Sequence, residues 1–334
     1  MTQKKRLPKL PQLLERKISK TGQTRGADDD VIYQNRVGRN NTVLIPFHQW
    51  IQDGNLRKLA RENIFEKGYI VLIPPSEYFS WEDPQKTLFE NALVLGNNAL
   101  IFYETRSDWD SHSPEMLKWK AANSRQAPLG GEYVARVPAT TANDAEKAKK
   151  INLGYASQSP KGAGIRLYEY ANQATIAACR QQLEAEYWLC YDAVEVASEN
   201  GMTKEDALSR KERILKLCEE QGLLDYGRLM EMRIINSQQH TICPLCLKEL
   251  SGREFLNRVK QPEGREVPDL TVTQVNLFHI DELKFGAFNH KPYNLGWGHH
   301  FCNVVVKDSG IAQTLTWMQS VLKANKKAGF IDQD

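Results

Sequence analysis

Two short stretches, Cys243-Pro-Leu-Cys246 and His299-His-Phe-Cys302, each carry two metal-ligating side chains at a two-residue interval, with 53 positions from Cys246 to His299. The knuckle inside such a pair aims both donors at one point, and three thiolates with one imidazole make a tetrahedral set suited to structural zinc. If one ion takes both halves, the chain between them must close into a loop, which constrains the C-terminal part more than local propensity does. A lone Cys-x-x-Cys reads almost as well as two buried thiols. The second half at matching spacing moves the assignment to zinc, with Cys243, Cys246, His299 and Cys302 as ligands. Five of the seven histidines and three of the six cysteines fall between residues 240 and 302, so the crowding is local. Cys179, Cys190 and Cys218 stand apart and are expected as reduced core thiols.

At 334 residues the chain has room for two or three domains, and its 41% hydrophobic and 25% charged residues belong to a folded, soluble protein. The longest apolar runs, such as Tyr69-Ile-Val-Leu-Ile73, stop at Pro74-Pro75, far short of the roughly 18–20 residues that span a bilayer. The basic start MTQKKRLPKLPQLLERK lacks the continuous apolar core that secretion needs, so a cytoplasmic protein without membrane contact is expected. A net charge of +3 names no partner, but residues 1–26 hold eight basic side chains against a single acid, Glu15.

The pattern along the chain predicts an α+β protein. Residues 1–40 read as a basic arm and loops. Over 41–170, apolar or β-branched runs at 42–47, 69–75, 98–104, 132–138 and 164–170 read as strands, with 76–85 and 139–163 as turns and long loops. This predicts a strand-rich mixed domain. In 171–236 the period changes: Ile176, Cys179, Leu183, Tyr187, Cys190 and Val194 predict one long amphipathic helix. A second helix follows, with Thr203 as N-cap and Gly222 past its end. This helical segment is expected to link domains or to dimerise. Residues 237–334 form the last domain, closing on a helix whose Ile311, Leu315, Met318 and Leu322 predict a core face, capped by Asp308 or Ser309.

The segment between the two zinc halves carries its own chemistry. A strand read over Thr271–His279 delivers His279 at its end; Asp281, Glu282, Asn289 and His290 follow, and then Asn294-Leu295, three residues, His299, two residues, Cys302 and Asn303. This run resembles the HNH, or ββα-metal, nucleases, with His299 standing where the family commonly has a cysteine. The resemblance implies that His279 is the general base, that Asn294 braces the loop carrying it, and that Asn303 binds a catalytic divalent ion, taken as magnesium. A histidine suits proton abstraction near neutral pH, and oxygen donors suit magnesium. Lys307 would contact a phosphate. Phe278 stands where many of these enzymes have an acidic metal ligand, so the second ligand falls to Asp281 or Glu282, with His290 a further contributor. Taken singly, His279 could be a core histidine, Asn294 a loop turn and Asn303 a helix cap.

A module of this kind needs about 60–80 residues, which leaves most of the chain for finding DNA. The segments KTGQTRG, YQNRVGRNN, VLIPP, YVARVPAT, GAGIRLYEY, CPLC and YNLGWGHHFCNVVVKDSG resemble type II restriction endonucleases of the BstXI type. That resemblance implies an interrupted palindromic site in double-stranded DNA cut by a homodimer, with no nucleotide cofactor. The basic arm suits phosphates, and Arg25, Arg36 and Arg39, set among Gln, Asn and Gly, suit guanine edges or phosphates. The competing reading is a zinc-stabilised DNA-binding regulatory protein without nuclease activity, with Phe278 as its best argument.

Overall fold

The computed structural model describes residues 7–19, 33–34, 42–155, 164–257, 273–281, 289–307 and 309–331. They divide into two compact units, one running from Gly22 to Asn172 and the other joining Met1–Thr21 to Gln173–Asp334.

The first unit is built on strands β1 (Tyr33–Gln34), β2 (Val43–Pro46), β3 (Tyr69–Ile73), β4 (Ala99–Tyr103), β5 (Tyr133–Val137), β6 (Ile151–Leu153) and β7 (Gly164–Arg166). They form one sheet in the order β1-β7-β2-β3-β4-β5-β6. Every neighbouring pair is parallel except β5 with β6. Parallel strands need crossovers, and helices α2 (Phe47–Gln52), α3 (Gly54–Arg61), α4 (Pro75–Tyr78), α5 (Pro84–Glu90) and α6 (Arg106–Ser111) lie in those connections. Both faces of the sheet are covered. Val43, Ile45, Val71, Ile73, Ile101 and Tyr103 pack into one core, and Leu44, Ile70, Leu72, Leu100 and Phe102 into another. This is why the strands read as unbroken apolar runs rather than as alternation.

The five strand positions expected from sequence are present, but the unit is an α/β sheet rather than a strand-rich mixture. The stretch 76–85 expected as turns holds most of α4 and the start of α5. These helices are four to eight residues long, too short to display a period, and their signal is at the ends. Pro75 and Pro84 sit in the first turns, and Asp83 caps α5 by accepting from the Lys86 amide at 3.0 Å.

The second unit packs around α7 (Gln173–Trp188). The long helix expected through Val194 breaks after Trp188 and restarts as α8 (Ala193–Glu199). Helix α9 (Lys204–Glu220) begins where expected, with the Thr203 hydroxyl accepting from the Asp206 amide at 3.1 Å, and Gly222 beyond its end takes φ +67°. Helix α10 (Tyr226–Glu231) follows. Cys179, Cys190 and Cys218 are buried thiols in this core, as expected. From Gln182 to Trp188 every side chain of α7 is buried. The polar ones are held: Gln182 Nε2 donates to the Leu223 carbonyl at 2.8 Å, and Glu184 takes Arg210 Nε at 2.6 Å and Nη2 at 3.0 Å.

The start of the chain belongs to this core as well. Helix α1 (Gln12–Ser19) buries Leu14 and Ile18, and Lys17 is buried, donating to the Val275 carbonyl with its ammonium 5.4 Å from the centre of the Phe255 ring. Lys17, counted above in the basic arm, is therefore structural and unavailable to a phosphate.

The antiparallel pair β8 (Val275–His279) and β9 (Leu295–His299) comes next, followed by α11 (His300–Val306) and α12 (Ile311–Lys327). Gly310 occupies the cap of α12, with no side chain capping it, so Ser309 does not serve as expected; Asp308 lies outside the described residues. Only the start of the expected core face of α12 is buried: Ile311 is enclosed, whereas Leu322 is 54% and Trp317 57% exposed.

Glu186 is the exception in α7. It is fully buried, with no hydrogen-bond partner for either carboxylate oxygen among the described residues. Burial pushes its pKa well above the ordinary value. Its neutral form is favoured only when folded, so stability is fully present below the unfolded pKa and falls as pH rises from there through the raised folded value. Glu186→Met should therefore raise stability by about 1–3 kcal/mol at pH 7 and flatten its decline between pH 5 and 8. Thermal melts of both proteins across that range check this. A variant that melts lower than the parent at pH 8 would show that Glu186 has a partner.

Candidate active site and metal centre

The register of β8 and β9 sets Val275 opposite His299 and His279 opposite Leu295, so the two histidines leave opposite ends of the hairpin. Alternation along β8 turns Phe278 into the core, where it is 0% exposed, and leaves His279 half-buried. A Cβ at Gly298 would run into the Phe278 ring, so the glycine makes room for it. The aromatic side chain in the usual acidic position is thus a packing residue.

At one end of the hairpin the ligand atoms of Cys243, Cys246, His299 and Cys302 lie within 4.8 Å of one another. Among the described residues this is the one cluster of His, Cys, Asp or Glu side chains with spacing for a metal ion. His299 Nδ1 faces Cys246 Sγ at 3.3 Å, and its Nε2 lies 3.6 Å from Glu254 Oε1. Burial pushes the Cys243 thiol up, but hydrogen bonds from His299 and the backbone of Cys246 and Leu245 outweigh it and hold the pKa at about 6. A thiol that ionises this readily is a ready metal ligand. Glu254 gave no signal in the sequence beyond its place in a Ser251-x-x-Glu254 capping box, which the structure forms. Its carboxylate fixes the ring so that Nδ1 is turned to the cluster, the arrangement in which outer partners orient a ligating histidine. The donor set fits zinc.

At the other end, Asn294 is buried and fully engaged. Its Oδ1 accepts from the Asp281 amide at 2.7 Å, and its Nδ2 donates to the Asn289 carbonyl at 2.7 Å. It ties the residue two beyond His279 to the residue before His290, and these two rings meet, with His279 Nε2 3.4 Å from His290 Nδ1. Tyr293, at φ +64°, anchors the approach: its amide donates to Gln182 Oε1 at 2.7 Å and its hydroxyl to the Gly222 carbonyl at 2.6 Å. Asn303, on α11, spends Nδ2 on the Leu277 carbonyl at 3.1 Å, which leaves Oδ1 as the atom for a cation. Lys307 is exposed just past α11, at φ +48°. Asp281 is exposed and joins no metal-spaced cluster; Glu282, Arg25, Arg36 and Arg39 lie outside the described residues.

A family model described as BstXI restriction endonuclease matches residues 16–300. The match covers most of the chain, so this protein belongs to the BstXI restriction endonuclease family and is a DNA endonuclease of a restriction system. It includes His279, Asn294 and three of the four cluster residues, and stops before Cys302 and Asn303. Neither the curated proteins nor the solved structures contain a match. No helix among the described residues is long and apolar enough to cross a membrane.

Two substitutions test the cluster. Cys246→Ser should lose zinc from the purified protein and lower its melting temperature, since binding to the folded state alone stabilises it. Glu254→Gln should keep the fold and lose zinc to a chelator with about 10–100-fold weaker affinity. Metal analysis with a chromophoric chelator reads both, and a zinc-free parent of unchanged stability would sink the assignment.

Proposed function

We propose that the protein is a sequence-specific type II restriction endonuclease that cuts with an HNH active site on the β8-β9-α11 element. The observation that carries this is the double clamp of Asn294 on the two sides of the segment after His279, the bracing role that the HNH resemblance assigns to that asparagine. A buried asparagine that merely turned a loop would not need both segments.

In this reading His279 removes a proton from a water molecule. The resulting hydroxide attacks phosphorus in line with the 3′ oxygen, and the P–O3′ bond breaks to leave a 5′-phosphate and a 3′-hydroxyl. Asn303 through Oδ1, with Asp281 or Glu282, would hold a divalent ion, which we take as magnesium. That ion supplies neutralisation of charge on the scissile phosphate and the departing oxygen. Lys307, exposed at the end of α11, is suited to a neighbouring phosphate. The Cys₃His cluster serves as a structural zinc staple, since its four donors leave no open position.

The 22–172 unit, with Arg25, Arg36 and Arg39, is the part we assign to recognising duplex DNA. A homodimer matches a palindromic target, and the exposed Trp317 and Leu322 on α12 are apolar surface suited to a second copy. A DNA-binding regulator without cleavage remains the alternative. Its main argument, Phe278, is weakened because that residue is committed to the core.

Plasmid DNA incubated with the protein and magnesium should give discrete fragments. His279→Ala should lower cleavage by about 10²–10⁴-fold while leaving DNA affinity within about twofold. A fully active His279→Ala protein would overturn the HNH assignment, and failure to cleave with any divalent ion would favour the regulator.

A further inference from the structure

We propose that His290 is the positioning residue that holds the His279 imidazole in the tautomer a general base needs, an inference that rests on the reading of His279 as that base. The two rings are the only imidazoles that the Asn294 clamp brings together. Their centroids lie 5.7 Å apart at 52°, and His279 Nε2 faces His290 Nδ1 at 3.4 Å. That is long for a hydrogen bond, as catalytic contacts often are before substrate tightens them. The two partners differ sharply in environment. His279 is half-buried, whereas His290 is 1% exposed, and its Nε2 has no hydrogen-bond partner among the described residues. Asn294 fixes the backbone on which that ring sits by holding the Asn289 carbonyl.

The electrostatics decide what His290 can do. Burial, and then the neighbouring charges of His279 and Arg180, push its pKa down to about 3. The ring is therefore neutral wherever the enzyme works, with one donor nitrogen and one acceptor nitrogen. When Nδ1 is the acceptor, the proton on neutral His279 sits on Nε2 and points into the contact. His279 Nδ1 then keeps the lone pair that takes a proton from water. In the reverse arrangement the lone pair of His279 would be committed to a buried ring, and no base would remain. After proton abstraction His279 is an imidazolium that still donates through Nε2 to a neutral acceptor. His290, being so weakly basic, does not take that proton, so it remains on His279 for return to the departing 3′ oxygen or to solvent. The hydrogen of His290 itself then lies on Nε2, a buried donor suited to an ordered water molecule.

The experiment uses the full-length enzyme with magnesium and a plasmid carrying its site. His290→Leu deletes the acceptor and should lower kcat about 10²-fold or more, with KM and DNA affinity unchanged. His290→Asn keeps an acceptor near the position of Nδ1 and should recover activity to within about tenfold of the parent. ¹⁵N spectra of histidine-labelled protein should show His279 as the Nε2–H tautomer in the parent and in His290→Asn, and as a mixture in His290→Leu. Unchanged kcat in a folded His290→Leu protein, equal losses in both variants, or an Nδ1–H tautomer for His279 in the parent would overturn the proposal. If His290→Leu does not fold, the asparagine variant and the parent spectrum decide. A His279→Ala enzyme that still cleaves would instead refute the assignment of His279 as base.

Discussion

The C-terminal unit depends on how one buried helix disposes of its polar groups. Helix α7 runs through the core with Gln182, Glu184 and Glu186 all inside, and burying a polar group without a partner costs free energy comparable to a lost hydrogen bond. Its own groups are answered by the elements around it. Trp297 of β9 donates to the Leu183 carbonyl at 2.8 Å, the Thr241 hydroxyl donates to the Glu186 carbonyl at 2.5 Å, and Gln182 bonds to Leu223 and Tyr293. Each of these bonds also fixes a piece of the site. Trp297 seats the hairpin, Thr241 lies two residues before the first zinc knuckle, and Tyr293 precedes the bracing asparagine. The hydrophobic core supplies the bulk of the stability, but these directional contacts determine where the hairpin sits.

The two ends of that hairpin do different jobs with the same residue type. His299 is turned by Glu254 toward three cysteines, and His279 is turned by its strand position toward His290. The difference comes from the partner on the far side of each ring. A carboxylate makes the imidazole a stronger electron donor, whereas a buried neutral imidazole accepts a hydrogen bond without competing for a proton. One short ββα element thus separates a structural role from a catalytic one by second contacts.

Much of this was legible in the sequence because the signals were discrete. The spacing of Cys243, Cys246, His299 and Cys302 needs no tertiary information beyond loop closure, and their donor atoms do converge. The strands of the 22–172 unit were equally plain, since a run buried on both faces is apolar throughout. What the sequence hid was the parallel pairing, because the crossover helices α2 to α6 are too short for periodicity and are marked only by Asp and Pro at their ends. Lys17 misled for a different reason: its charge counts toward a basic arm, while its long aliphatic stem let it lie against Phe255. Glu254 and His290 could not be found by spacing, since each acts on a residue far away in sequence or across a loop. Phe278 was legible as a departure, and only the space left by Gly298 explains it.

The clamp by Asn294 has a consequence for how such enzymes can vary. It fastens the chain at Asp281 and again at Asn289, so the two histidines outside these points are held independently of what lies between. The cost of closing a flexible segment rises only slowly with its length, about 0.6 kcal/mol for each doubling. The interval between the two fastened positions is therefore a natural place for insertion or deletion. Relatives can be expected to differ in length there while keeping the same geometry at the cut, which gives evolution a site for adding new DNA contacts beside the scissile bond.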